Sequence, residues 1–258
     1  MIIGRAARAG ILAAALASAC GAARATVILG SADIGYANIA AGGDHSSDIS
    51  GAGTVLFRGP RSGLEAQVDL GYDHLSGSGA VSPPYGVTGG VDLFLRSNLG
   101  TLGASYSHVL LGAYGGGGSQ SLDAYGAFAE WYMNDIVTLQ VKGGGMSVRG
   151  QNGAFGGAGA IFYLSPYLAI DLNGGFLSEA YDHVATFGGA AEYMPWSMPL
   201  SLSAGYEYTH QSGGYQAANT FLFTIKYRFG DPGATTLQNF QRRGPIDWNG
   251  SFAPQALL

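Results

Sequence analysis

Apolar and polar residues alternate along most of the chain. Leu64, Ala66, Val68, Leu70 and Tyr72 share one parity, and Glu65, Gln67, Asp69, Gly71 and Asp73 the other. Val137, Leu139 and Val141 oppose Thr138, Gln140 and Lys142, and Leu168, Ile170 and Leu172 oppose Ala169, Asp171 and Asn173. Leu200, Leu202, Ala204, Tyr206 and Tyr208 oppose Ser201, Ser203, Gly205, Glu207 and Thr209. Phe221, Phe223, Ile225, Tyr227 and Phe229 oppose Leu222, Thr224, Lys226 and Arg228. Successive side chains of a strand point to opposite faces, so this period predicts strands with one apolar and one polar face. Twelve strands are predicted, at roughly 31–42, 50–58, 63–73, 86–96, 99–110, 121–132, 136–146, 153–163, 167–177, 183–193, 199–210 and 219–229. Each has about 17 residues for itself and one connection, and a tilted strand crossing a bilayer uses about 9–11.

The connections are predicted to alternate in kind. Pro60-Arg61, Ser97-Asn98, Asn134-Asp135, Ser165-Pro166 and Pro195 to Pro199 mark short turns. Looser stretches rich in Gly, Ser, Gln and Asn lie near 43–49, 74–85, 111–118, 147–152, 178–182 and 211–217. Short turns at one end and longer loops at the other belong to transmembrane β-barrels. Leu102 to His108 also resembles Leu202 to Tyr208, as a meander of hairpins would produce. A soluble sandwich or propeller would have to cover the apolar faces with a second sheet and would carry more surface charge.

Composition supports an outer surface that does not face water. Charged residues make up 11% of the 258, aromatics 12%, and there are 44 glycines, where an ordinary soluble domain carries about 25% charge and about 7% glycine. The formal net charge of −5 argues against nucleic acid as a partner. Residues 1–25 read as a secretory signal peptide: Arg5 and Arg8 form its positive head, Ala9 to Ala19 its apolar stretch, and Ala23-Arg24-Ala25 a cleavage site. Removing it lowers the basic count from 12 to 9 against 17 acidic residues, a net −8. The one cysteine, Cys20, lies in this leader, where Ala17-Ser18-Ala19-Cys20 resembles a lipoprotein processing box. A mature chain without Cys20 holds no thiol, which excludes disulfides and thiol catalysis.

The leader, the alternating strands and a last strand ending Tyr227-Arg228-Phe229 together resemble a bacterial outer-membrane β-barrel of the small porin-like kind. The resemblance covers 26–229, is architectural, and matches no individual family. It implies an all-β fold, a closed antiparallel up-and-down transmembrane barrel, in the outer membrane. It also implies lipid as a partner, and Tyr227 and Phe229 as the signal read by the barrel-assembly machinery. Residues 230–258 depart from the pattern, because such signals usually end the chain. They read as an irregular periplasmic tail, either disordered or folded up into the barrel mouth.

In a barrel the charged face must be the lumen, since a charge on the lipid face at mid-bilayer costs about 2–4 kcal/mol. Glu65, Asp69, Asp92, Glu130, Lys142, Asp171, Glu192, Glu207, Lys226 and Arg228 are therefore expected inside. This predicts a passive channel for small hydrophilic solutes with selectivity set by the wall charges. The alternatives are a barrel closed by ion pairs such as Glu207 or Glu192 with Lys226 and Arg228, or a surface-binding adhesin or receptor. The aromatics Phe57, Trp131, Tyr132, Tyr163, Tyr167, Tyr193, Trp196 and Phe229, with Tyr72, Tyr106, Tyr181 and Tyr208, are expected as two interfacial girdles. An outer-membrane hydrolase is the weakest alternative. In Tyr72-Asp73-His74 and Tyr181-Asp182-His183 the adjacent acid and histidine point to opposite faces of a strand. No catalytic, metal or cofactor site is predicted. His45, His74, His108, His183 and His210 read as ordinary loop-side residues.

Overall fold

The computed structural model describes residues 27–59, 63–77, 84–113, 120–148, 151–179, 182–195, 198–212, 217–230 and 236–246. The leader with Cys20 lies outside these residues, as do Tyr181, Trp196 and the chain beyond Ile246. The strands are β1 (Val27–Ala41), β2 (Asp44–Arg58), β3 (Leu64–Gly77), β4 (Pro84–Arg96), β5 (Gly100–Ala113) and β6 (Gln120–Tyr132). They continue as β7 (Val137–Val148), β8 (Gln151–Ser165), β9 (Leu168–Glu179), β10 (Asp182–Tyr193), β11 (Leu200–Gln211) and β12 (Ala218–Phe229). A short helix, α1 (Leu237–Arg243), follows.

Every strand pairs antiparallel with its sequence neighbours, and β12 returns to pair with β1 through Asp33↔Lys226 and Ile34↔Ile225. The sheet is closed, so no strand presents a free edge. Following the paired residues once around returns to β1 displaced by about 14 residues, which for twelve strands means a tilt of about 40° and a backbone cylinder about 24 Å across. Val27 and Phe229 lie at one end, called here the terminal end. The turns at Asn98, Asn134 and Pro166 share that end, and Gly42-Gly43 lies at the opposite, distal end.

All twelve predicted strands are present, and most run further toward the distal end than their apolar alternation does. The predicted loop at 43–49 is ladder: Ser46, Ser47 and Asp48 pair with Gly77, Ser76 and Leu75, and the hydroxyls of Ser47 and Ser76 are 2.9 Å apart. Gly42 and Gly43, at φ 61° and 98°, turn the chain in two residues, a left-handed conformation that glycine adopts without strain. Polar side chains on both faces can continue a ladder without leaving an apolar signal. The predicted contrast between short turns and long loops is correspondingly reduced, since β7 runs to Val148 with β8 starting at Gln151, and β9 runs to Glu179 with β10 starting at Asp182.

The two faces separate as the alternation requires. On β12, Phe223 is 59% exposed and Lys226 only 5%. Large apolar side chains, among them Ile34, Leu102, Trp131, Phe187 and Phe221, cover the outer wall. Three of the predicted girdle aromatics are not on the outer wall, Tyr167 because it packs on the inner group of Ile161, Tyr163 and Ala169. Tyr132 shares the parity of buried Glu130, and Tyr163 that of buried Ile161, so both rings point into the barrel.

Candidate functional site

The interior of the barrel holds the ten ionisable groups expected there, arranged in layers along its axis. In one layer, Arg228 of β12 reaches Glu192 of β10 at 2.6 Å and donates to Ser201 Oγ of β11 at 2.6 Å. Ser201 in turn donates to the same carboxylate, and Gln241 Nε2 donates to its other oxygen at 2.8 Å. On the opposite wall Glu65 of β3 takes Arg58 at 2.6 Å and Arg96 Nη1 at 3.2 Å, while Arg96 lies 5.0 Å over the Phe94 ring. Glu130 accepts from Gln140 Nε2 at 2.9 Å and from Tyr132 Oη at 3.1 Å. Buried charges persist only when paired and hydrogen-bonded, and each of these has a cross-strand partner.

Deeper in the bore, Gln67 Nε2 stands between two carboxylates, 3.0 Å from Asp69 Oδ1 and 3.3 Å from Asp92 Oδ2, and Thr54 donates to Asp69 at 2.8 Å. These groups line a cavity of about 390 Å³ that extends toward the distal end. Asp33, Asp48, Asp69, Asp73 and Asp92 face it, and among the described residues Lys142 is the one lysine or arginine in its lining. Hydroxyls of Ser50, Thr88, Ser105 and Thr186 share the remaining wall with apolar side chains such as Leu122, Met146, Phe155 and Val184. A second cavity of about 100 Å³ lies among Glu130, Asp171, Glu192, Glu207 and Arg242. Among the described residues no group of three or more His, Cys, Asp or Glu is placed to hold a metal ion.

Beside these charged groups the terminal end of the bore carries apolar side chains, which alternation alone did not predict. Leu29, Leu56, Phe94 and Phe128 point inward and are buried. Phe94 and Phe128 meet edge to face at 6.0 Å across Gly103 of β5, where an added Cβ would sit 2.5 Å from Phe94 and 2.6 Å from Phe128. On the other wall Ile161, Tyr163, Ala169 and Met194 form a second apolar group.

The C-terminal segment covers both groups. Thr236 caps α1 by accepting from Asn239 N at 3.2 Å, and the spacing of Leu237 and Phe240 puts both on one helix face. That face packs on Ile161, Tyr163, Ala169 and Met194, and beyond the helix Ile246 packs on Leu29, Leu56, Phe94 and Phe128. Each such side chain contributes roughly 1.5–3 kcal/mol by leaving water. Arg242 lies between the Tyr132 and Tyr163 rings, 5.0 and 5.2 Å from their centroids, and donates to Thr138 Oγ1 at 3.0 Å and to the carbonyls of Val137 and Asn134. The tail predicted as irregular is thus helical over Leu237–Arg243, and of the two arrangements open to it the described part adopts the folded one.

The structure places all ten residues expected on the charged face inside the barrel. Asp69, Asp92 and Lys142 line the larger cavity, and Glu130, Asp171, Glu192 and Glu207 the smaller one. Glu65, Lys226 and Arg228 are buried within the terminal half. Tyr227 and Phe229 lie on the outer wall with rings stacked 6.5 Å apart. Sequence reasoning missed the apolar seat, Gln67 and Arg242. Asp123 is an ionisable group on the outer face, where it pairs with His108 at 2.8 Å and accepts from Tyr106 at 2.7 Å.

No protein-family model matches the chain, and no curated protein matches it. Solved structures do. An outer membrane channel from Pseudomonas putida F1 aligns with a TM-score of 0.60 at 10% identity, over 79% of this chain and 95% of that one. The KdgM porin in complex with disordered oligogalacturonate aligns at 0.50 and 10% identity, over 76% and 99%. The translocator domain of autotransporter NalP from Neisseria meningitidis aligns at 0.49 and 15%, over 88% and 98%. At these identities the likeness is one of architecture: the chain has the closed, all-antiparallel barrel fold of bacterial outer-membrane proteins.

Proposed function

We propose that this protein is an outer-membrane channel for passive diffusion of small hydrophilic solutes, with cations favoured over anions. The observation that carries the reading is the 390 Å³ carboxylate-bearing cavity inside a barrel whose outer wall is apolar. Five aspartates and one lysine face that cavity, and like-signed wall charges raise the local concentration of the opposite ion. Such a wall is unsuited to an acidic oligosaccharide such as the oligogalacturonate held by the porin named above. The barrel fold shared with a channel of Pseudomonas putida supports the reading at the level of architecture.

On this proposal the outer apolar belt faces lipid, the leader directs export, and Tyr227 and Phe229 present the signal that the assembly machinery reads. The terminal end then faces the periplasm. The test is planar-bilayer recording with a salt gradient across the membrane. Discrete conductance with a cation-selective reversal potential is expected, and persistent silence from folded barrels would refute the channel.

A second reading, a closed barrel with a structural or surface-binding role, draws on one observation: the C-terminal segment fills the terminal end of the bore. A hydrolase has no comparable support. Asp73 faces the cavity, whereas His74, the next residue of β3, has the opposite parity.

A further inference from the structure

A water-filled bore has no use for an apolar lining, yet eight residues at the terminal end of this one form two apolar groups on opposite walls. Leu29, Leu56, Phe94 and Phe128 come from β1, β2, β4 and β6. Ile161, Tyr163, Ala169 and Met194 come from the side of β8, β9 and β10. What covers them is a segment of the same chain, Thr236 to Ile246, which touches both walls. Leu237 N donates to Pro166 O at 2.8 Å and Gln238 Nε2 to Asp135 O at 2.7 Å. Across the bore, Arg58 of β2 donates to the carbonyl of Arg243, and Gln67 of β3 pairs with Ile246. Seven helical residues and three extended ones reach about 20 Å, close to the width of the cylinder less its lining side chains. The segment therefore spans the mouth. It also bounds the open space, because Ile246 lines the larger cavity while Gln241 and Arg242 line the smaller.

We infer that Thr236 to Ile246 is a tethered plug, a ligand that the chain supplies to its own bore, which closes the terminal end at rest and leaves its seat when solute crosses. The inference rests on the channel reading and adds its regulation. The attachment suits a reversible element. Leu237, Phe240 and Ile246 insert from one side, the polar contacts centre on Arg242, Gln241 and the Gln67–Ile246 pair, all of them non-covalent, and no strand of the barrel depends on the segment for its ladder.

The experiment compares three proteins in planar bilayers: the full chain, a chain ending at Gly230, and the full chain carrying Arg242→Ala with Gln67→Ala. Heat-modifiable gel mobility checks that each barrel is folded. The full chain is expected to show rare, brief openings, the shortened chain a steady conductance at least about fivefold higher in time average, and the double variant an intermediate open fraction. If the shortened chain does not fold, the double variant alone carries the comparison, and an open fraction equal to that of the full chain overturns the plug. Equal, steady conductance in all three overturns the plug and leaves the channel standing. Silence in all three folded barrels overturns the channel and the plug together.

Discussion

Gln67 and Ile246 hold each other by two hydrogen bonds that run in opposite directions. The side-chain amide of Gln67 donates to the Ile246 carbonyl at 2.9 Å, and the Ile246 amide donates to Gln67 Oε1 at 2.7 Å. One glutamine on β3 thus satisfies the donor and acceptor of a backbone unit that is buried inside the barrel and has no strand beside it. The same side chain touches Asp69 and Asp92, so the floor of the acidic cavity and the seat of the C-terminal segment share one residue.

Gln67→Leu keeps the volume and removes both bonds. An unsatisfied buried polar group costs about 1–3 kcal/mol, so the Ile246 amide should exchange its hydrogen roughly ten- to a hundredfold faster, while amides in the β3–β4 ladder keep their protection. Hydrogen exchange of the protein in detergent reads both regions. Unchanged exchange at Ile246 would show that the pair does not hold the segment.

Gly103 is the space between two rings. A Cβ there would overlap the Phe128 ring edge, the Phe94 Cβ and the Leu93 carbonyl oxygen, and overpacking of this kind costs about 1–3 kcal/mol. Gly103→Ala should lower the midpoint of urea unfolding in lipid vesicles, and combining it with Phe128→Leu should recover only the part of the loss that comes from the ring. A shift of the same size in both proteins would place the strain elsewhere.

Arg228 and Glu192 form an ion pair with both side chains more than nine-tenths buried. Arg228→Met leaves Glu192 charged with fewer partners and should cost about 3–5 kcal/mol of unfolding free energy. The double variant with Glu192→Gln should cost less than Arg228→Met alone, since no unpaired charge remains. A double-mutant cycle measures the coupling, and strict additivity would mean that the pair contributes nothing.

Asp69→Asn with Asp92→Asn removes two of the five carboxylates facing the large cavity. Under a tenfold salt gradient, the reversal potential of the chain ending at Gly230 should move toward zero. An unmoved potential would place selectivity outside this cavity.

Strand number, antiparallel order and the sidedness of the charges were legible because the outer wall of the barrel is apolar at every second position. Where that wall ends the signal ends, and Ser46, Ser47 and Asp48, paired in β2, read as loop. Inward apolar residues are harder to see, because they are few and lie between outward apolar ones: Phe94 sits between Leu93 and Leu95. Parity still carried the information, since Phe94 is two residues from Asp92 and Tyr132 two from Glu130. The tail offered a fainter cue in Thr236, a capping residue ahead of Leu237 and Phe240. Its seat could not be read, because it is built from residues of six or more strands that meet only once the barrel closes.

The account depends on one arrangement, an apolar wall outside and ionisable groups within. Single cysteines at Phe223 and Thr224, in a chain carrying Cys20→Ser, test it through nitroxide labels in lipid vesicles. Phe223 is exposed on the outer wall and Thr224 lines both cavities. The label at 223 should relax with oxygen dissolved in the bilayer, and the label at 224 with a water-soluble nickel chelate. Equal access of the chelate to both positions would contradict the arrangement.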